Sequence, residues 1–133
     1  MAKRRIIHPP AWPTPPGYSH AVATARPLIF VSGQVPLDPA GALVGGDDVE
    51  AQATQVFENL RTVLGGVGAT FDDIVKLTTF VVGLDAGKLA SVRRARDRFL
   101  GDGPRPASSL IGVAALFRPD VLVEIEAIAE LPA

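Results

Sequence analysis

Val121-Leu122-Val123-Glu124-Ile125-Glu126-Ala127-Ile128-Ala129 alternates strictly enough to be read as a strand with two distinct faces. Val121, Val123, Ile125, Ala127 and Ala129 point one way, and Leu122, Glu124, Glu126 and Ile128 point the other. Residues 74–82, Ile-Val-Lys-Leu-Thr-Thr-Phe-Val-Val, form a second strand that is apolar on both faces apart from Lys76 and the threonines. A sheet built on these strands has two faces to cover.

Working outward, two helices are predicted. The first is capped by Asp47, with Glu50 three residues on completing a capping box. Val49, Ala53, Val56, Phe57, Leu60, Val63 and Leu64 recur at helical spacing, and Gly65-Gly66 ends the run. The second spans residues 86–100, with Leu89, Val92, Ala95 (or Arg96) and Phe99 inward and Arg93, Arg94, Asp97 and Arg98 outward. Strands are expected at 21–24, 28–32, 108–116 and 121–129, with Phe117-Arg118-Pro119-Asp120 as a hairpin-sized link between the last two. The order β-β-α-β-α-β-β describes an α+β domain: a single sheet with both helices on one face. Two helices cover one face only, so the other face calls for a partner subunit.

Length and composition set the outer limits. The 133 residues form one domain, large enough to bury roughly two-thirds of its unfolded surface without disulfides or a structural metal. Residues 1–17 are read as a Pro-rich arm, extended and irregular, and residues 18–133 as the domain proper. With no cysteine, thiol nucleophiles and cysteine-ligated zinc are excluded. The net charge of -1 gives no general pull towards nucleic acid or anionic lipid, and few aromatics lie outside core-like positions, so RNA handling is not expected. No segment approaches the ~20 apolar residues that span a bilayer, and the start lacks a signal peptide's apolar run, which reads as cytoplasmic. His8 and His20 are far apart along the chain and tied to no nucleophile pattern, so neither a metal site nor a triad is expected. The loop at 41–46 lacks the phosphate-binding glycine pattern.

Six ordered segments resemble the RidA/YjgF/UK114 family, whose older label is endoribonuclease L-PSP. They are Gly17-Tyr18-Ser19-His20-Ala21-Val22, residues 30–39 (Phe-Val-Ser-Gly-Gln-Val-Pro-Leu-Asp-Pro), Asn59-Leu60, residues 73–81, Arg105-Pro106-Ala107-Ser108-Ser109, and residues 123–129. The resemblance implies a chorismate-mutase-like fold, assembled as a homotrimer around a central barrel, with ligand sites in the clefts between subunits. It also implies hydrolysis of amino-acid-derived enamines and imines to ammonia and a 2-keto acid, without a cofactor.

Carried over position by position, the resemblance makes Tyr18, Ser32 and Gly33 substrate-binding and Glu124 the catalytic carboxylate. The family arginine that clamps the substrate carboxylate falls at Ser108, the cysteine after it at Ser109, and the second-helix asparagine at Arg93. Arg105 matches a different, upstream arginine. The chain therefore resembles an arginine-lacking branch, since a serine hydroxyl supplies neither the charge nor the fork of a guanidinium. Two readings of Glu124 stand side by side: a group handling the proton of a hydrolytic water, or an ion-pair partner across a subunit boundary. Glu126, about 6–7 Å along the same face, is read as a structural partner for arginine or backbone groups. Arg93 is either a replacement clamp or part of a solvated charge run with Arg94, Arg96 and Arg98. The expected function is a hydrolase (deaminase) acting on a small polar metabolite. The alternative is a non-catalytic, small-molecule-binding or regulatory trimer.

Overall fold

The computed structural model describes residues 4–132. In chain order the elements are β1 (Arg5–Ile7), β2 (Ala21–Ala23), β3 (Leu28–Gln34), α1 (Val49–Gly65), a 3-10 turn (Phe71–Asp73), β4 (Ile74–Val82), α2 (Ala86–Leu100), β5 (Ala107–Val113) and β6 (Val123–Glu130). The main sheet runs β3-β6-β4-β5, and both helices lie on one face of it. β6 is antiparallel to both neighbours, while β4 and β5 are parallel. A parallel pair needs a crossover, and α2 provides it.

That topology corrects the link between the last two strands. β5 and β6 do not pair; β4 lies between them, so residues 114–122 cross over instead of closing a hairpin. The arm also departs from expectation. Arg5–Ile7 pairs antiparallel with Ala21–Ala23, making a separate two-stranded ribbon beside the main sheet. The Arg4 guanidinium reaches Glu130 at 3.3 Å, and Thr24 also hydrogen-bonds that carboxylate.

α1 begins one residue later than its sequence suggests: Asp48, not Asp47, caps it by accepting from the Ala51 amide at 3.1 Å. Glu50 is thereby left out of a capping box and pairs with Arg94 and Arg98 of α2 instead. Val49, Ala53, Val56, Phe57, Leu60 and Leu64 are buried against Leu77, Val123, Ile125 and Ala127 of the sheet. Between the helices, the Phe57 ring stacks on Phe99 with centroids 5.3 Å apart, and Phe71 meets both edge-on.

Two register shifts shape the sheet. One, between Ile74 and Lys76, lets Ile74 and Leu77 share the core although they are three residues apart. The other lies between Val31 and Gln34: Val31 faces Ala127 and Gln34 faces Ile125, so Ser32 and Gly33 together stand opposite Glu126. Away from the helices, Phe30 is 73% exposed and lies near Ile128, Thr78 and Lys76. Among the described residues no element covers this face. No helix there is long and apolar enough to cross a membrane.

Candidate functional site

The site is built from the start of β5. Ala107 forms a parallel bridge with Ser19, whose amide donates to the Pro106 carbonyl at 2.9 Å and whose hydroxyl donates to the Arg105 carbonyl at 2.6 Å. That seam fixes Tyr18 beside Ser108. Alternation along β5 then turns Ser108 and Leu110 towards the helices. α2 crosses above, bringing Arg93 and Arg96, one turn apart, to the same place. The result is a cavity of about 160 Å³. Tyr18, Thr79, Ser108, Arg93 and Arg96 form its polar wall, and Phe57, Leu77, Leu89, Val92 and Leu110 its apolar one. Tyr18, Arg93 and Ser108 are thus brought together within one chain, whereas the resemblance placed Arg93 at a neighbouring subunit's cleft.

Arg96 was not singled out by sequence, where it stood as one member of a charge run and as an alternative to Ala95 on the buried stripe. Its side chain is only 14% exposed, and its Nε donates to Asp97 at 3.0 Å. The signal was available: a long cationic residue on the inward stripe of a helix must reach either water or a pocket. Arg105 is engaged elsewhere. It donates to the Gly101 carbonyl at 2.8 Å and lies 3.5 Å from Asp97, tying the end of α2 to β5.

The other expected residues form a second cluster on the opposite face of the sheet. Glu124 is half-buried beside Gly33, where an added Cβ would lie 2.7 Å from the Glu124 Cδ and 3.0 Å from its Oε2. The backbone conformation there is ordinary, and a side chain at this position would have to push the Glu124 carboxylate aside. Ser32 lies next to it, in a depression of about 280 Å³ with Lys76, Thr78 and Glu126. Ser109 belongs to this side too: its hydroxyl accepts from Lys76 Nζ at 2.9 Å. Adjacent strand residues face opposite ways, so Ser108 and Ser109 cannot line one pocket of the same chain. Glu126 is exposed on this uncovered face and forms no ion pair with an arginine among the described residues.

The two histidines are neighbours in space. Pairing of Ile7 with Ala21 sets His8 beside His20, ring centroids 5.6 Å apart, with Trp12 and Tyr18 packed edge-on against His20. Sequence separation concealed this because the strand in the arm was not foreseen. Among the described residues no three His, Cys, Asp or Glu side chains gather in a metal-binding arrangement.

An open sheet carrying two helices on one face, with a Tyr-Ser-Arg cavity at the start of β5, defines a recognisable class. The profile of the family described as Endoribonuclease L-PSP matches residues 11–131, and the chain belongs to this RidA/YjgF family. Protein DfrA of Myxococcus xanthus is 41% identical over 128 residues, which is 95% of each chain. The 2-iminobutanoate/2-iminopropanoate deaminase of Salmonella typhimurium is 39% identical over 104 residues, 77% of this chain and 78% of that one. Among solved structures, the Rid-family protein YyfB of Yersinia pestis superposes with a TM-score of 0.91 at 42% identity, covering 96% of this chain and 98% of that one.

Proposed function

We propose that the chain is a cofactor-free hydrolase of small imines or enamines derived from amino acids, acting in a cleft completed by a neighbouring copy in a homotrimer. The observation that carries this reading is the division of the expected residues into two half-sites. Tyr18, Arg93 and Ser108 line the cavity under α2. Ser32, Gly33 and Glu124 lie across the sheet, beside the exposed Phe30 face. One chain cannot close both around a single ligand. A second copy docked on the uncovered face can bring the mouth of its own α2 cavity to the first chain's Glu124 half-site. The deaminase relative from Salmonella typhimurium supports the choice of reaction.

The chemistry needs little. Tyr18 and Ser108 offer hydroxyl groups to hold and orient the substrate. Water adds to the imine carbon as Glu124 takes its proton, forming the C–O bond while the C=N pair moves to nitrogen. The same carboxylate returns the proton to the amine. Collapse to the carbonyl breaks the C–N bond as the hydroxyl proton passes, through the same carboxylate, to the departing nitrogen, and ammonia is released. General acid–base catalysis of this kind is worth roughly 10²–10⁴ in rate.

The second reading, a binding or regulatory trimer using the same cleft, is favoured by Ser108, which puts no guanidinium fork on β5. Ammonia release separates the two. Imines would be generated in situ by an amino-acid oxidase across a panel of amino acids, and wild type compared with Glu124→Ala. Hydrolysis predicts accelerated release that Glu124→Ala abolishes. Saturable binding without acceleration would leave the binding reading in its place.

A further inference from the structure

With serine at position 108, the cavity needs another group to hold a substrate carboxylate. We propose that Arg96 of α2 is that group, and that the cavity selects small carboxylates carrying a short apolar side chain. This rests on the cavity being the substrate pocket of the hydrolase reading, and it adds the anchoring residue and the substrate class.

Three observations favour Arg96 over its neighbours. Its side chain is mostly buried and lines the cavity, whereas Arg93, one turn earlier, is exposed. Its Nε is held by Asp97 at 3.0 Å, and among the described residues neither terminal nitrogen has a protein acceptor. The plane of the guanidinium is therefore set while its outer edge remains for a ligand, which is the geometry of a two-point carboxylate clamp. Finally, the backbone packs against the fork. A Cβ added at Gly17 would lie 2.4 Å from the Arg96 Nη2 and 2.9 Å from its Cζ, and Gly17 has φ +74°. The positive φ favours glycine at this position, and any side chain there would have to push the guanidinium aside.

The rest of the lining defines the ligand. No carboxylate lines the cavity itself; the nearest, Asp97, lies behind the guanidinium on its Nε edge and also meets Arg105 at 3.5 Å. Elsewhere in the lining, Leu77, Val92 and Leu110 offer a hydrocarbon surface to the substrate's side chain. Arg105 is turned towards Gly101 and Asp97 and does not compete for this role.

The test is binding of 2-oxobutanoate, an unreactive carboxylate probe, to the full-length protein by calorimetry or ligand-observed NMR, with 2-oxobutanamide as the neutral control. Wild type should bind the acid and not the amide. Arg96→Gln should weaken binding by about tenfold or more, with Arg96→Lys recovering only part of it because charge returns without the fork. Arg94→Gln, whose guanidinium pairs with Glu50 outside the cavity, should change it by less than about threefold, and Arg93→Gln should weaken it less than Arg96→Gln does. Gly17→Ala, which displaces the guanidinium and keeps its charge, should weaken binding while α2 remains folded by circular dichroism. Equal binding by wild type and Arg96→Gln would overturn the proposal. So would a larger loss in Arg93→Gln, or equal affinity for acid and amide. The two readings fail separately. Arg96-dependent binding without ammonia release sinks the hydrolase and keeps the clamp, whereas undiminished turnover in Arg96→Gln sinks the clamp and keeps the hydrolase.

Discussion

Replacing Gln52 by methionine should remove a large part of the domain's stability, although nothing about residue 52 touches the cavity. Gln52 is fully buried on α1. Its Nε2 donates to the carbonyls of Gly46 at 2.7 Å and Asp120 at 2.8 Å, and its Oε1 accepts from the Leu122 amide at 2.8 Å. One side chain thus ties the loop before α1 to the crossover that feeds β6, two residues ahead of Glu124. Methionine keeps the volume and breaks all three bonds. Gly46 and Asp120 are exposed and their carbonyls can rehydrate, but Leu122 lies between two fully buried valines and its amide is left without a partner. Three net hydrogen bonds at about 1 kcal/mol each, with the orphaned amide at the upper end, give roughly 3–5 kcal/mol. That is about a third of the 5–15 kcal/mol typical of a domain. With a urea slope of about 2 kcal/mol/M, the midpoint should fall by about 2 M at fixed protein concentration. Gln52→Glu should be no better, since it restores one acceptor, loses both donors and buries a charge. A midpoint within about 0.3 M of wild type at unchanged slope would refute the view of Gln52 as the strap holding β6 in register.

Asn59→Ala frees the carbonyls of Val35 and Leu37, which its Nδ2 holds at 2.8 and 2.9 Å. It should cost about 1–3 kcal/mol and speed amide exchange in the segment after Gly33, which hydrogen-exchange mass spectrometry would detect. Gly33→Ala should push the Glu124 carboxylate aside and lower turnover about as much as Glu124→Gln, with little change in the affinity for a 2-oxo acid. Hydrogen bonds from Arg94 and then Arg98 hold the Glu50 carboxyl below its ordinary pKa. A depressed carboxyl stabilises the fold above its unfolded pKa and loses that contribution as pH falls through the folded one. Thermal melts should therefore separate wild type from Glu50→Gln at pH 7 and bring them together only as pH falls below the ordinary glutamate range and through the depressed folded pKa, with added salt narrowing the gap.

Regular, locally encoded features were legible in the sequence. The bounds of β4 and α2 agree with the structure residue for residue, because apolar periodicity and the flanking glycines and Asp85 act within each segment. The inner and outer faces of β6 followed from alternation alone. Tandem Asp47-Asp48 could not reveal which residue caps α1, since either satisfies the local rule; the choice shows in Glu50, which α2 captures. The partner of β5 was hidden for another reason. A short link beside Pro119 suggests a hairpin, but strand order depends on which edges are buried, and β4 takes the position between. Within the site, Tyr18, Ser108 and Arg93 converge in one chain, while Arg96 emerges only once Gly17 and β5 are placed against α2. That Ser109 faces away from Ser108 was legible in strand alternation and was masked by matching the two positions in sequence.

The central claim is that two chains build one site, and subunit complementation tests it most directly. Glu124→Gln keeps the cavity intact, and Arg96→Gln keeps the carboxylate intact; each alone should release ammonia from 2-iminobutanoate at near background rates. Mixing the two, dissociating and reassembling them, leaves about a quarter of the sites with both intact halves if subunits combine at random. The account predicts recovery of roughly that fraction of wild-type activity. If the reassembled mixture remains as inactive as its parents while co-assembly is confirmed by native mass spectrometry, Glu124 and the α2 cavity do not meet across a subunit boundary, and the proposed site is wrong.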